Sequence, residues 1–305
     1  MRIARTHLVP LVIISSLGCQ SGNSITTADA GSDAATGAGD PLDRSNLPIG
    51  DGKYGSSPKI GYLYSCQTSF SGNAGGAMTD GPWIKSDGTF DFNAKVVVQG
   101  SVAWSAHTFS ATVSGTTRTV SGNGLPNHNT GTFPISTVDP AYQYDRNPNS
   151  IGQHTLNWAL SATPTIATSP TCVGLGTVGV LLTGSAFFNS LDAEGRDAVA
   201  HETQDACQAH PEMNGEYHYH SVSSCLADPG TDHSALMGYA RDGFGIYGVR
   251  GENGKILTDA DLDECHGHTH LIEWDGQMVS LYHYHATYEY PYTVGCFKGT
   301  PISAP

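Results

Sequence analysis

One tetrapeptide occurs twice in the sequence, and it constrains the fold more than any other feature. Residues 217–220 and residues 282–285 both read Tyr-His-Tyr-His. Successive side chains of a β-strand point to opposite faces, so an extended copy places two tyrosines on one side and two imidazoles on the other. Histidines two residues apart in a strand are separated by about 6.6 Å, so both rings can converge on one ion at bonds of about 2.0–2.1 Å. The tetrapeptide therefore predicts two strands that each carry a pair of metal ligands.

The residues around the two copies are also similar. The segments ahead of the copies share the pattern D-x-C-x-x-H, and a cysteine follows each copy. We interpret this as an internal duplication of one small unit, with copies at about residues 205–225 and 263–296. Imidazole is the commonest neutral metal ligand, and zinc and copper both suit it. The predicted ligands of one shared zinc or copper ion are His218, His220, His283 and His285, with His210 and His268 as further ligands or as partners of the ligands.

The N-terminus has the features of a bacterial lipoprotein signal. Arg2 and Arg5 precede a short apolar run, residues 8–17, which is too short to span a bilayer. The Ser-Leu-Gly-Cys sequence that ends at Cys19 resembles a lipidation site, so we expect residues 1–18 to be removed and Cys19 to be lipidated. An ordinary signal peptide with a nearby cleavage site is the alternative. The first interpretation places the protein in the bacterial envelope, anchored by lipid to the outer membrane or surface, and the second makes it periplasmic or secreted.

Composition divides the rest of the chain into a tether and a domain. Residues 19–48 consist mostly of Ser, Thr, Ala, Gly and Asp, which bury too little surface to offset the ordering entropy, so we expect a disordered tether. Residues 49–305 are long enough for one large domain or two, and we expect a single β-rich domain. The formal net charge of −14 argues against nucleic acid as a partner and limits membrane binding to the N-terminal lipid.

The large domain has the sequence of a mainly β protein. Runs rich in Val, Phe, Tyr and Thr lie at residues 59–70, 89–101 and 102–113, and 37 glycines and 16 prolines interrupt the chain. Residues 174–188 are apolar and punctuated by glycine, which is typical of a buried strand pair, whereas residues 192–201 are the best helix candidate. We therefore expect a β-sandwich or barrel-like domain with long loops rich in Gly and Pro, few short helices and stapling disulfides.

Six cysteines remain when Cys19 is set aside, and an even number in an exported chain suggests disulfides. An alternative makes Cys207 and Cys265 thiolate ligands of zinc beside the histidines of the D-x-C-x-x-H segments. An oxidising compartment favours disulfides over thiolates. The pairs that the duplication suggests are Cys207–Cys225 and Cys265–Cys296, which leaves Cys66–Cys172.

Several further motifs accompany the tetrapeptides. They are Asn-Gly-x-Pro-x-His at residues 123–128, Asp242-Gly243-Phe244, Ile246-Tyr247-Gly248, Leu262-Asp263-Glu264-Cys265, Pro291-Tyr292 and Gly295-Cys296-Phe297. Together with the tetrapeptides they resemble the YHYH domain proteins, over about residues 95–299 and most specifically over residues 205–299. This chain departs from the family pattern at Gly245, where the pattern has proline. The resemblance implies a shared fold unit and no particular activity.

Two classes of function fit these residues. In the first, the histidines hold a divalent metal ion, and an open coordination position activates water for metal-assisted hydrolysis with Glu264 or Asp242 as the base. The nucleophile motif Gly-x-Ser-x-Gly does not occur in the chain. In the second, the domain is a non-catalytic surface module stapled by disulfides, its tyrosines form a core or a binding face, and its histidines hydrogen-bond between strands. Convergence of the imidazole nitrogens of both copies on one point favours the metal hypothesis.

Overall fold

Strands dominate the computed structural model, which describes residues 42–72, 77, 79–228 and 231–303. The strands are β1 Leu47–Pro48, β2 Tyr54–Gly55, β3 Leu63–Tyr64, β4 Thr89–Phe90, β5 Phe109–Ser114, β6 Thr117–Gly122, β7 Leu156–Ser161, β8 Thr177–Leu181, β9 Ala186–Phe188, β10 Ala209–Pro211, β11 Tyr217–Tyr219, β12 Leu236–Ala240, β13 Gly245–Tyr247, β14 Gly267–Trp274 and β15 Gln277–His285. The helix α1 spans Ala198–His201, and short 3-10 segments span Phe92–Ala94, Pro140–Gln143, Glu252–Gly254 and Asp259–Asp261. The mainly β prediction is confirmed.

The described residues begin before the predicted end of the tether. The signal peptide, Cys19 and most of the tether lie outside the described residues, so those predictions are not examined by the structure. The described residues from 42 onward belong to one compact unit. Leu47 is buried and pairs with Phe90 in a two-stranded antiparallel sheet. Ordered structure is therefore present at Leu47, next to the boundary expected at residue 48.

An eight-stranded mixed sheet forms the centre of the unit, in the order β10-β11-β9-β8-β12-β13-β15-β14. The order is linear, so this sheet is open and is not a barrel. The three-stranded antiparallel sheet β5-β6-β7 covers part of one face, where Val120 and Trp158 pack against Val180 and Tyr239. This pair of packed sheets resembles a sandwich. A larger core, which contains the tyrosines of both tetrapeptides, lies on the other face.

The eight-stranded sheet consists of two halves with the same connectivity. In the first half, β8 pairs antiparallel with β9, β10 pairs antiparallel with β11, and β11 is parallel to β9. The second half repeats these three pairings: β12 pairs antiparallel with β13, β14 pairs antiparallel with β15, and β15 is parallel to β13. The halves join through the antiparallel pair β8 and β12. The duplicated unit is therefore larger than predicted, at about residues 177–225 and 236–296.

Three disulfides cross-link the fold, and their pairing is the one that the duplication suggested. Because Cys207 and Cys265 are both oxidised, the alternative of thiolate zinc ligands does not describe this structure. The disulfides indicate an extracytoplasmic protein. Within the described ranges, no helix has the length and apolar character that crossing a membrane requires. The bonded pairs are Cys66–Cys172, Cys207–Cys225 and Cys265–Cys296.

Candidate metal centres

The tyrosines and histidines of the tetrapeptides occupy opposite faces of their strands, as the alternation predicted. The Tyr217 hydroxyl donates to Asp205 Oδ2 at 2.8 Å, and the Tyr282 hydroxyl donates to Asp263 Oδ1 at 2.9 Å. Both aspartates come from the D-x-C-x-x-H segments. These equivalent bonds fix the tyrosine side of β11 and β15 in the core and thereby aim the histidines at the opposite side of the sheet.

The histidines form two separate clusters. The strands β11 and β15 are separated in the sheet by β9, β8, β12 and β13, which corresponds to roughly 24 Å at about 4.8 Å per strand. The predicted single ion shared by both tetrapeptides is therefore wrong, because the two halves lie side by side and do not face each other. The first cluster contains His210, His218 and His220, and the second contains His233, His268, His270, His283 and His285.

In the first cluster, backbone carbonyls determine which ring nitrogens carry protons. His218 Nδ1 lies 2.9 Å from the Glu216 carbonyl oxygen, and His220 Nδ1 lies 2.5 Å from the Asn189 carbonyl oxygen. A carbonyl only accepts, so both Nδ1 atoms carry the ring proton and both Nε2 atoms keep a free lone pair. The two Nε2 atoms are 3.0 Å apart. Two neutral lone pairs cannot hydrogen-bond to each other, so this spacing is one that a shared metal ion could bridge.

The same cluster has a further imidazole and a carboxylate. His210 is paired with His218 across β10 and β11, and neither of its ring nitrogens has a hydrogen-bond partner. Glu202 Oε2 lies 3.4 Å from His210 Nε2 and 3.5 Å from His220 Nε2, and it too has no hydrogen-bond partner. The Lys95 ammonium group contacts the carbonyl oxygens of Val199 and Glu202 and so fixes the segment that carries this carboxylate.

Burial keeps the first cluster uncharged in the absence of an ion. It lowers the pKa of His220 to about 4 and lowers the pKa values of His210 and His218 well below the ordinary value. It also raises the pKa of Glu202 well above its ordinary value. A proton is therefore a poor occupant of the space between the rings, whereas a metal ion bonds directly to neutral imidazoles.

The second cluster repeats the arrangement of the first. His283 Nδ1 lies 3.0 Å from the Leu281 carbonyl oxygen, and His285 Nδ1 lies 2.6 Å from the Gly248 carbonyl oxygen. The Nε2 atoms of His283 and His285 are consequently both free of protons, and they are 3.1 Å apart. Burial lowers the pKa of His283 to about 2 and also lowers the pKa of His285. His268 is paired with His283 across β14 and β15, in the position of His210 in the first half.

Two more imidazoles enlarge the second cluster. His233 Nε2 lies 3.3 Å from His283 Nε2, and its Nδ1 lies 2.8 Å from the Ser234 carbonyl oxygen. His270 Nδ1 lies 3.1 Å from the Leu271 carbonyl oxygen, and its Nε2 is buried without a partner. The sequence interpretation missed both, together with Glu202 of the first cluster. The second His-x-His pair, His268 and His270, was a signal for one of them, but no spacing marks His233 or Glu202.

The candidate catalytic carboxylates lie elsewhere. Asp242 accepts hydrogen bonds from the Tyr284 hydroxyl and the Gly299 backbone N–H, on the tyrosine side of the sheet. Glu264 pairs with Lys298 Nζ at 3.1 Å. Neither carboxylate belongs to a histidine cluster of the described residues. The structure therefore does not bring either predicted base to the imidazoles.

The ligand spacing fits a transition metal ion. Tetrahedral ligands with bonds of about 2.0–2.1 Å lie roughly 3.3 Å apart. The Nε2 to Nε2 distances are 3.0 Å for His218 and His220, 3.1 Å for His283 and His285, and 3.3 Å for His233 and His283. Carbonyl oxygens that hold Nδ1 and orient the ring are the usual support for metal-binding histidines. A third group, His128 with Cys207 and Cys225, has suitable atom types, but its sulfurs are oxidised to a disulfide.

The fold and the clusters describe a disulfide-linked β protein with duplicated histidine pairs. Residues 157–256 match the model of the family described as YHYH protein, so this segment is a YHYH protein family domain. The match contains the first tetrapeptide and the strands β12 and β13, and the second tetrapeptide follows it along the chain. Neither the comparison with curated proteins nor the comparison with solved structures finds a match.

Proposed function

We propose that this protein binds two transition metal ions outside the cytoplasm, one in each histidine cluster. The observation that carries the proposal is the pair of facing Nε2 atoms, 3.0 Å apart in the first cluster and 3.1 Å apart in the second. In both pairs the Nδ1 atoms are committed to carbonyl oxygens, so the lone pairs repel unless a cation lies between them. The same arrangement in both halves of a duplicated sheet supports a binding role for the histidines.

The donor sets favour different metals. The first cluster offers three imidazoles and the Glu202 carboxylate in a buried position, which is the closed four-ligand set of a structural zinc site. The second cluster offers five imidazoles and no carboxylate, and three of its histidines are partly exposed. Copper(II) binds nitrogen donors most tightly among the divalent first-row ions. We therefore assign zinc to the first cluster and copper to the second.

This proposal is one of metal binding without hydrolysis. Metal-assisted hydrolysis needs a base beside an open coordination position. Asp242 and Glu264 are engaged in other contacts, and Glu202, the carboxylate of the first cluster, is assigned here as the fourth ligand. The rival interpretation, in which the histidines only hydrogen-bond between strands, leaves the facing Nε2 atoms without a partner. Convergence within each cluster, although not between the clusters, supports metal binding.

Metal content of paired variants tests the proposal. The soluble domain, purified without a histidine tag, is expected to hold two ions per chain in elemental analysis. The double variant H218A/H220A is expected to lose one ion, and H283A/H285A is expected to lose the other, because the clusters share no ligand. If the wild-type protein binds neither zinc nor copper at micromolar concentrations, the proposed metal-binding function is wrong.

The cellular location forms a separate part of the proposal. We infer a lipid anchor at Cys19 in the bacterial envelope, supported by the lipobox-like sequence and by the three disulfides. The acyl chains would be the membrane anchor. The variant C19S is expected to move from the membrane fraction to the soluble envelope fraction. Continued membrane fractionation of C19S would show that another feature holds the protein there.

A further inference from the structure

The disulfide Cys207–Cys225 has an exposed sulfur on one side and a histidine on the other. Cys225 is exposed, whereas Cys207 is 4% exposed. His128 Nδ1 lies 3.1 Å from Cys207 Sγ and 2.8 Å from the Asn129 carbonyl oxygen. Both neighbours of Nδ1 accept, so this nitrogen carries a proton that the carbonyl oxygen and the buried sulfur share. His128 Nε2 lies 2.5 Å from the Tyr219 hydroxyl, which fixes the ring.

The other two disulfides lack this combination. Cys265 and Cys296 are both fully buried, so a reductant cannot reach either sulfur. Cys66 is exposed, but neither it nor Cys172 belongs to a group with a histidine in the part of the chain that the structure describes. Cys66–Cys172 therefore has exposure without an imidazole, and it serves as an internal control for the effect of His128.

We propose that Cys207–Cys225 is a redox-active disulfide that exchanges with a dithiol. A thiolate of the dithiol attacks the exposed Cys225 Sγ, a mixed disulfide forms there, and the bond between the two protein sulfurs breaks. The electron pair passes to Cys207 Sγ, and the N–H of His128 stabilises the resulting thiolate. The second thiol of the reductant then attacks its own sulfur in the mixed disulfide, which releases Cys225 as a thiol and leaves the reductant as a cyclic disulfide.

The geometry gives the two sulfurs different roles. Attack on Cys225 makes Cys207 the leaving group, and a thiolate that accepts a hydrogen bond leaves more readily. Attack on Cys207 is blocked because that sulfur is buried. The exchange does not depend on a bound metal, so it is independent of the proposed metal function.

Selective reduction tests the inference. The purified protein is treated with dithiothreitol under native conditions, free thiols are alkylated at intervals, and peptides are identified by mass spectrometry. Cys207–Cys225 is expected to open about tenfold faster than Cys66–Cys172, and the variant H128F, which keeps a ring of similar size but has no N–H donor, is expected to remove that advantage. Equal rates for the two exposed disulfides in the wild-type protein, or an unchanged Cys207–Cys225 rate in H128F, would overturn the proposal.

Two variants separate the effect of the imidazole from a general loosening of the loop. Y219F removes the hydroxyl beside His128 Nε2 but leaves Nδ1 next to the sulfur, so the fast reduction is expected to persist. H107F makes the same replacement at a partly buried histidine whose Nδ1 contacts the Leu125 carbonyl oxygen, and it is also expected to leave the rate unchanged. If the His107 variant slows the reduction as much as H128F does, the effect comes from a general loosening of the loop and the proposal is wrong.

Discussion

The two halves of the large sheet share a set of contacts that hold the histidine pair, which we call the frame. They differ in the other side chains that could donate to a metal ion. In each half a tyrosine hydroxyl donates to the aspartate of the D-x-C-x-x-H segment, and two histidine Nδ1 atoms contact backbone carbonyls. In each half a disulfide joins the cysteine of the D-x-C-x-x-H segment to the cysteine that follows the tetrapeptide. These repeated contacts are local to the duplicated unit. They show that contacts within each duplicated unit position its histidine pair.

The additional donors come from parts of the halves that have diverged. Glu202 follows the helix α1 in the first half. In the second half, β14 and β15 are 8 and 9 residues long, whereas β10 and β11 have 3 residues each, and the longer hairpin brings His270 beside His283. Substituting donors outside the frame can therefore change the metal that a site prefers without disturbing the histidine pair.

Lowering the pH is expected to have the largest effect on the free energy of unfolding and to act through both halves. Burial lowers the pKa of His220 and of His268 to about 4, from 6.5 for an unburied ring. The unfolded chain thus binds more protons below pH 6.5, so this stability is present above pH 6.5 and is lost as the pH falls toward 4. The loss amounts to about 3 kcal/mol for His220 alone. Urea unfolding of metal-free protein between pH 7 and pH 4 measures it.

Variants that lack one histidine pair show how much of this acid sensitivity comes from each half. H218Q/H220Q and H283Q/H285Q are each expected to flatten part of the pH dependence of the free energy of unfolding. A variant that retains the full wild-type pH dependence would show that the buried rings of that half do not control acid unfolding.

Removing the aspartates is expected to harm the first half more than the second. Asp205 is buried and accepts from the Gly131 N–H, the Cys207 N–H and the Tyr217 hydroxyl. Its removal leaves buried donors unsatisfied, so D205A should lower the free energy of unfolding by about 3 kcal/mol. Asp263 is partly exposed, water can replace it, and D263A should cost about 1–2 kcal/mol. Denaturant unfolding compares the two, and an equal or larger loss in D263A would contradict the difference.

Donor removal is expected to weaken metal binding unequally. The first cluster has four donors, so E202Q should raise the dissociation constant by about 10–100-fold. The second cluster has five imidazoles, and an ion that takes four of them still has a full set, so H270A should raise the dissociation constant by less than about tenfold. Competition with a chromophoric chelator measures both constants. A larger effect in H270A than in E202Q would show that His270 is an essential ligand.

How well a feature could be predicted depends on how far apart in the sequence its contacting residues lie. Strand alternation is a local property, so the opposite faces of Tyr217 and His218 could be read from the sequence. The disulfide pairing followed from the repeat of Cys207 and Cys225 as Cys265 and Cys296. These features depend on residues close together in the chain or on a visible repeat.

The single shared ion failed because the sequence does not encode how the two copies sit in the sheet. Four strands separate β11 from β15, and that order arises from the pairing of β8 with β12, which no motif marks. Glu202 and His233 reach their clusters from loop segments, so no periodicity identifies them. The bases proposed from sequence, Asp242 and Glu264, were chosen by residue type, and their partners Tyr284 and Lys298 are distant in the chain.

Removing the tyrosine hydroxyls is expected to have the smallest effect on the free energy of unfolding. It tests whether the tyrosine side and the histidine side of each strand act independently. Y217F and Y282F each remove one hydroxyl that donates to an aspartate, on the side of the strand opposite the imidazoles. Each aspartate keeps its backbone N–H donors, so the loss should be about 1 kcal/mol, somewhat larger for the fully buried Tyr217. Metal content should stay at the wild-type value, because neither hydroxyl contacts a histidine cluster. If Y217F loses the first ion while Y282F keeps the second, the tyrosine side of β11 supports the ligands directly, and the two halves differ in their frame as well as in their donors.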